Sequence, residues 1–260
     1  MVYTMNIQTL KGGLIVSCQA FPGEALYGSD IMAKFALAAK EGGAVGIRTN
    51  SPDDISAIRK TAELPVIGLW KRRYEDSDLL ITSTLSDVRA VIAAGADIVA
   101  MDGTKRPRPG GETLESIVSA VRRESDCLLL ADVSTLEEGM AAASLGFDAV
   151  STTLSGYTDY STQEESPDFE LMKQLVQKLS VPVFAEGRIH TPEQARRCME
   201  YGAFGVIVGA ALTRPHIMTR KFIEEMRRAG DKAEPTAEQA GKADGVRTDT
   251  HRYTKGEKPF

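Results

Sequence analysis

The sequence predicts a single (β/α)8 barrel, an α/β fold in which eight parallel strands alternate with helices. Its 260 residues match the usual size of that domain. Eight short apolar runs alternate with helical segments in one uninterrupted series, and a glycine precedes every second run at intervals of about 50 residues. An open doubly wound sheet uses the same units and stays the alternative, although the chain has no GxGxxG turn.

The predicted strands are short runs rich in Val, Ile and Leu, bounded by Gly, Pro or Asp and too short for helices. Their continuous apolar character is typical of parallel strands that are buried on both faces. In chain order they are 13–19, 44–49, 64–71, 96–102, 127–133, 147–153, 181–187 and 204–210.

The segments between the runs have helix signals. The segments 86–95 and 191–202 begin with a Ser or Thr cap or an early proline, have apolar residues three and four apart, and end at glycine. The recurring glycines that precede a strand are Gly43, Gly95, Gly146 and Gly202. This repeat indicates paired βα units, and we assign residues 1–230 to the barrel.

The pattern fails after Gly230. Residues 231–260 carry six acidic and six basic side chains and few large apolar ones, so they cannot bury enough surface to offset the entropy of ordering. We therefore predict a flexible charged tail over 231–260, with docking on a neighbouring molecule as the alternative.

Composition excludes several classes of protein. A net charge of −5 gives no basic footprint for nucleic acid, and no apolar run approaches the ~20 residues of a membrane span. The N-terminus has no secretory signal, and three isolated cysteines without CxxC spacing favour a reduced, cytoplasmic protein. The three histidines are far apart in the sequence, so we predict no metal site.

Polar residues follow the predicted strands at their carboxyl ends, where barrels of this type hold their active sites. Such residues are costly to bury without partners, which indicates a polar ligand. From the first strand to the eighth, these end positions are Gln19, Arg48, Lys71, Asp102, Asp132, Thr152, Glu186 and Gly209.

Lys71 and Glu186 end the third and seventh strands, which lie opposite each other in an eight-stranded ring. An amine at an apolar rim near other cations has a lowered pKa and can act as a base or a Schiff-base nucleophile. Glu186 can pair with Lys71, bind a substrate hydroxyl or move a proton. The structural alternatives are a solvent-reaching lysine and a salt bridge from Glu186 to a barrel arginine.

Small residues and arginines follow the last two strands. Backbone N–H groups at such loops can approach an anion, and barrels often bind phosphate between these loops. We therefore predict a phosphate site, with tight turns alone as the alternative; its candidate residues are Gly187, Arg188, Gly209, Ala210 and Arg214. Tyr157, on the loop after the sixth strand, either covers the pocket or lies on the surface.

Together the strand ends resemble the bacterial N-acetylmannosamine-6-phosphate 2-epimerase family over residues 7–228. The resemblance rests on seven motifs in order: SCQA, GIRTN, PVIGLWKR, ADVSTLEEG, TTLSGYT, AEGRI and VGAALTRP. The chain departs from the family pattern at Trp70, where an aliphatic residue is usual, and at Gly103, where alanine is common. Neither departure changes a charged group, and the charged tail is not part of the pattern.

The resemblance implies interconversion of N-acetylmannosamine 6-phosphate and N-acetylglucosamine 6-phosphate in sialic acid catabolism. It implies that Lys71 transfers the proton with Glu186 as its companion, while the phosphate site includes Arg214 and the small-residue loops. It implies no metal or organic cofactor, and a homodimer. The substrate-binding residues that it implies are Gln19, Arg48, Asp132, Thr152 and Tyr157.

Three questions stay open at this stage. Lys71 either moves the proton on both faces of the sugar or shares this task with Glu186. A Schiff-base lyase would use the same amine, and a phosphosugar sensor without turnover would keep only the phosphate site.

Overall fold

The structure, a computed structural model, describes residues 5–231 and confirms the predicted barrel. Each parallel strand pairs with the next along the chain, and β8 pairs with β1 to close the ring. The strands are β1 Leu14–Cys18, β2 Gly46–Asn50, β3 Val66–Leu69, β4 Ile98–Asp102, β5 Leu128–Asp132, β6 Ala149–Ser151, β7 Val183–Glu186 and β8 Gly205–Val208.

Helices separate the strands as predicted. They are α1 Ser29–Glu41, α2 Pro52–Thr61, α3 Leu85–Ala93, α4 Leu114–Glu124, α5 Leu136–Ser144, α6 Phe169–Lys178, α7 Pro192–Glu200, α8 Ala210–Thr213 and α9 Pro215–Asp231. Four of them, α3, α4, α5 and α7, begin with a threonine whose hydroxyl accepts an N–H of the first turn in a capping box. The predicted cap of α7, Thr191, is confirmed, whereas the predicted cap Ser86 is wrong: the cap of α3 is Thr84, and Ser86 lies inside the first turn of the helix.

The chain divides after Pro215 into a barrel unit and a C-terminal unit. In its described part the second unit consists of α9 from His216 onward. The predicted boundary at residue 230 stays a prediction, and the predicted tail lies outside the described residues apart from Asp231. In the described part of the chain, no helix is long and apolar enough to cross a membrane.

The glycine repeat has a conformational cause. Gly43, Gly95, Gly146 and Gly202 have φ values of 91°, 97°, 93° and 93°, a left-handed conformation that other residues rarely adopt. Each glycine ends the turn between a helix and the next strand, so the repeat seen in the sequence reports one turn used four times.

Strand register determines which side chains point into the barrel. Ser17 pairs with Arg48, and Asp132 pairs with Asp102 and with Ser151. Since side chains alternate along a strand, the residues two positions before these form a second inward layer. That lower layer is apolar and includes Ile15, Ala100, Leu130 and Ala149, all buried. The barrel therefore has an apolar floor beneath a polar mouth.

Candidate active site

Lys71 is held by its backbone at the exit of β3. It lies two residues beyond the last residue of the strand, and its N–H donates to Asn50 Oδ1 at 2.7 Å. The N–H of the preceding residue, Trp70, donates to Thr82 Oγ1 at 3.0 Å. Lys71 also forms an antiparallel bridge with Ile81. These contacts fix the start of the lysine side chain on the inner side of the mouth.

The Lys71 amine is half-buried among cations and an aromatic ring. Burial lowers its pKa to about 8, with repulsion from Arg48 adding to the effect, while Glu186 and Asp132 oppose it. Its Nζ lies 5.1 Å from the centre of the Phe21 ring. With this pKa about a tenth of the amine is neutral at pH 7, far more than for an ordinary lysine, and the neutral form can accept a proton.

Arg48 is a buried cation between two carboxylates. Its guanidinium donates to Asp132 through two bonds of 3.0 and 2.6 Å, and Nη1 lies 3.2 Å from Glu186 Oε2. The side chains of Arg48, Asp132 and Glu186 are 1%, 0% and 12% exposed. Glu186 therefore lies within salt-bridge distance of a barrel arginine, the contact that the structural alternative expects, and its side chain also interacts electrostatically with Lys71.

The two threonines after β6 have different roles. The predicted residue, Thr152, accepts the N–H of Glu186 at 3.1 Å and donates to its carbonyl at 2.8 Å, so its hydroxyl is used by the backbone of β7. Its neighbour Thr153 contacts Asp132 Oδ1 at 2.6 Å and Glu186 Oε2 at 2.9 Å. Of the two threonines, only Thr153 has its hydroxyl at hydrogen-bond distance from the side chains of both Asp132 and Glu186. The role of Thr152 in substrate binding stays a prediction.

Two other predicted substrate residues border the same mouth. Gln19 is 8% exposed and donates to Ser17 Oγ at 2.9 Å. Tyr157 is half-buried, and its pKa is raised by burial, with charge effects from Arg188, Glu186 and Arg214. The Tyr157 ring centre lies 5.9 Å from the Arg188 guanidinium carbon, and its role in covering the pocket stays a prediction.

The predicted phosphate residues lie at the β7 and β8 exits. Gly187 and Arg188 both have positive φ values, of 102° and 56°. Gly209 is the N-cap of α8 and Ala210 its first residue. Arg214 follows α8 and is paired with Glu24, and its guanidinium lies 5.2 Å from the centre of the Phe21 ring.

One polar strand end, Asp102, is engaged by its own loop. Its carboxylate accepts Thr104 Oγ1 at 2.6 Å and Arg106 Nη2 at 2.7 Å. Residues 5–231 contain no group of three His, Cys, Asp or Glu side chains that could hold a metal ion. That the enzyme needs no metal stays a prediction.

Comparison with known proteins identifies the family. The family model described as "Putative N-acetylmannosamine-6-phosphate epimerase" matches residues 32–228. The chain belongs to this family. Two relatives have the name "Putative N-acetylmannosamine-6-phosphate 2-epimerase". The one from Caldanaerobacter subterraneus is 54% identical to this chain over 218 residues, and the one from Clostridium perfringens is 47% identical over 218 residues. These alignments cover 84% of this chain and 92% and 98% of the relatives.

Solved structures agree with the assignment. The structure of the N-acetylmannosamine-6-phosphate 2-epimerase from Clostridium perfringens matches with a TM-score of 0.84 and 45% identity, over 86% of this chain and 98% of that one. A thiamine phosphate pyrophosphorylase from Pyrococcus furiosus matches with a TM-score of 0.54 and 18% identity, over 85% and 98% of the two chains. The second likeness concerns the fold alone. The predicted resemblance to the epimerase family is confirmed, and with it the class of enzyme.

The structure adds residues to this epimerase site that the sequence analysis did not name. They are Phe21, Glu24, Asn50 and Thr153. Strand alternation puts Thr153 on the same face as Ser151, but that this face points inward follows only from the pairing of Ser151 with Asp132. Phe21 and Glu24 lie on the loop before α1, and no local signal marks them.

Titration of the Lys71 amine in the substrate-free epimerase provides a first prediction. In protein labelled with 13C at the lysine ε-carbon, NMR should show one resonance with a midpoint near pH 8, absent from the Lys71→Met variant. Burial disfavours the ammonium form and therefore lowers the midpoint of the titration. The neutral fraction of the amine increases as the pH rises through this midpoint. A midpoint near the ordinary lysine value of about 10.4 would contradict the placement of this amine.

Proposed function

We propose that the chain interconverts N-acetylmannosamine 6-phosphate and N-acetylglucosamine 6-phosphate by inverting C2 of the ring-opened sugar. The observation that carries this proposal is the Lys71 amine, whose pKa is lowered to about 8 at the mouth of the barrel, beside Glu186 and Arg48. The names of the relatives supply the substrate.

The chemistry needs a base next to an acidic C–H bond. In the open-chain sugar the C2–H bond is adjacent to an aldehyde, so its removal leaves a charge that the carbonyl oxygen can carry. Lys71 takes this proton, the C–H electron pair forms a C1–C2 double bond, the carbonyl π pair moves to O1, and O1 becomes an enolate oxygen. Return of a proton to the opposite face of C2 gives the epimer without net oxidation or reduction.

Lys71 and Glu186 are the catalytic residues of this proposal. Charge develops on O1 in the transition state, and donors that are already oriented stabilise it without reorganisation. The Glu186 carboxyl group can supply such a donor, since part of its side chain reaches the mouth. Gln19, Thr152 and Tyr157 are proposed to hold the sugar, and Arg48 and Asp132 to act mainly by orienting Glu186.

The phosphate is proposed to bind at the β7 and β8 exits, at Gly187, Arg188, Gly209, Ala210 and Arg214. In the substrate-free protein the Arg214 guanidinium is paired with Glu24, so the phosphate would replace one anion with another. The phosphate group does not itself react, so the free energy of its binding is available for positioning the reacting carbon, C2. We further propose that the enzyme acts in sialic acid catabolism, as a cytoplasmic homodimer with no cofactor.

A proton NMR assay in D2O with N-acetylmannosamine 6-phosphate tests the proposal. The anomeric signals of the N-acetylglucosamine product should appear, and the C2 proton of the product should be replaced by deuterium. Formation of the product without deuterium at C2 would exclude deprotonation by a group that exchanges its proton with solvent. If no product formed, the proposed activity would be excluded.

A Schiff-base lyase is the second candidate, because a neutral amine can also attack the open-chain aldehyde. The two activities separate in the presence of borohydride and substrate. A lyase would give a reduced covalent adduct on Lys71, detectable by mass spectrometry of the peptide, whereas the epimerase should give none.

A further inference from the structure

The Thr153 hydroxyl lies among three polar groups at hydrogen-bond distance. These are Asp132 Oδ1 at 2.6 Å, Ser151 Oγ at 2.8 Å and Glu186 Oε2 at 2.9 Å. A hydroxyl donates one hydrogen and accepts two. Two of the three neighbours are carboxylates, which only accept when ionised.

This arrangement needs a proton on one carboxyl group. If both Asp132 and Glu186 were ionised, Thr153 could donate to only one of them, and the other would place an anionic oxygen against its lone pair. In a buried site such a contact is costly. With one carboxyl group protonated, all three contacts are satisfied, because Ser151 and the neutral acid donate to Thr153 while Thr153 donates to the remaining carboxylate.

The contacts of the two acids decide where the proton lies. Asp132 accepts two charge-assisted bonds from Arg48, of 2.6 and 3.0 Å, and has the shorter distance to Thr153. Glu186 has a single contact with Arg48, at 3.2 Å. Burial raises the pKa of Glu186 and repulsion from Asp132 adds to this effect, whereas Arg48, a hydrogen bond donated by Thr153 to the ionised form, and Lys71 lower it; the net pKa of Glu186 is raised. Tyr157, on the loop after β6, also interacts electrostatically with Glu186.

We propose that Thr153 is a positioning residue that keeps Glu186 protonated in the substrate-free protein. In this chain of bonds Glu186 donates to Thr153, and Thr153 donates to Asp132. A neutral Glu186 removes one of the two negative charges that favour the ammonium form of Lys71, so a larger fraction of the amine is in the neutral form that a base requires. The effect on turnover rests on the proposed epimerase function, whereas the protonation of Glu186 does not.

Infrared titration of the substrate-free protein tests the protonation directly. The wild type and Thr153→Ser should both show the carbonyl stretch of a protonated carboxylic acid near neutral pH, and Glu186→Gln should lack it. Thr153→Val removes the acceptor of the neutral acid, so the midpoint of this titration should fall by about one pH unit.

Two outcomes overturn the proposal. One is the absence of the Glu186 carboxylic acid band from the wild type near neutral pH, which needs no variant to fold. The other is a midpoint that rises in Thr153→Val, because the Thr153 hydroxyl would then be donating to an ionised Glu186. Circular dichroism confirms that each variant is folded, and Thr153→Ala replaces Thr153→Val if the valine is not accommodated.

Kinetics separate positioning from a general loss of structure. Thr153→Val should lower kcat about tenfold or more with KM within about twofold of the wild type, while Thr153→Ser should retain most activity. An equal loss of kcat in both variants would contradict a role for the hydroxyl. If the wild type does not convert the phosphosugar, the proposed function fails, and the infrared result still decides the protonation.

Discussion

Replacing Lys71 with alanine is expected to lower kcat for epimerisation by about 10²- to 10⁴-fold, the contribution of a well-placed general base. Among the described residues 5–231, Lys71 is the only lysine whose Nζ lies over the Phe21 ring at the mouth of the barrel. Its removal should also stop exchange of the C2 proton with deuterium, measured by NMR in D2O, because the same step breaks the C–H bond.

The control for this variant is Lys178→Ala. Lys178 is an exposed lysine in the last turn of α6, and helices of this fold end on the side opposite the mouth, so its loss changes the net charge equally away from the site. Binding of the phosphosugar should survive in Lys71→Ala, measured by calorimetry, since the proposed phosphate groups are intact. Full retention of C2 exchange in Lys71→Ala would remove this lysine from the mechanism.

The fold was predictable because its signals are local. Each strand is a short apolar run, the six helices from α2 to α7 have a capping side chain at their start, and the left-handed turns at Gly43 and its three counterparts favour glycine. The polar strand ends were predictable for the same reason, since a strand exit can be read from sequence. Five of these residues, Gln19, Arg48, Lys71, Asp132 and Glu186, lie on the inner side of the barrel mouth.

What the sequence did not indicate depends on register and closure. Thr152 and Thr153 are adjacent, and only the pairing of Ser151 with Asp132 establishes that Thr153 is the inward one. Phe21 and Glu24 reach Arg214 because β1 pairs with β8, a contact between residues nearly 200 positions apart. Asp102 follows a strand as the others do, but the hydroxyl and guanidinium of its own loop engage its carboxylate.

The largest expected effect on stability comes from Arg48→Met. The variant keeps much of the side-chain volume but leaves Asp132 and Glu186 without their shared cation in a buried site. Removing one partner of a buried ion pair costs about 3–5 kcal/mol, because the remaining charge is uncompensated. Urea denaturation at pH 7 should show a fall of this size in the free energy of unfolding.

The pH dependence of this loss distinguishes its cause. Arg48 lowers the pKa of Glu186, so this pKa should rise further in the folded variant, and the folded state then binds more protons than the unfolded state near neutral pH. Stability of the variant then falls as the pH rises, and the difference from the wild type should shrink at pH 5. The same change at an exposed pair, Arg89→Met beside Glu124, should leave the urea midpoint nearly unchanged.

A double variant completes the test. Arg48→Met with Asp132→Leu removes the most deeply buried anion together with the cation, so it should recover part of the stability lost in Arg48→Met, because apolar replacement of a buried pair is often close to neutral. It should not recover epimerase activity, because Glu186 and Thr153 would lack the partners that orient them. A loss in Arg48→Met no larger than that in Arg89→Met would mean that the buried charges are compensated by groups other than Arg48.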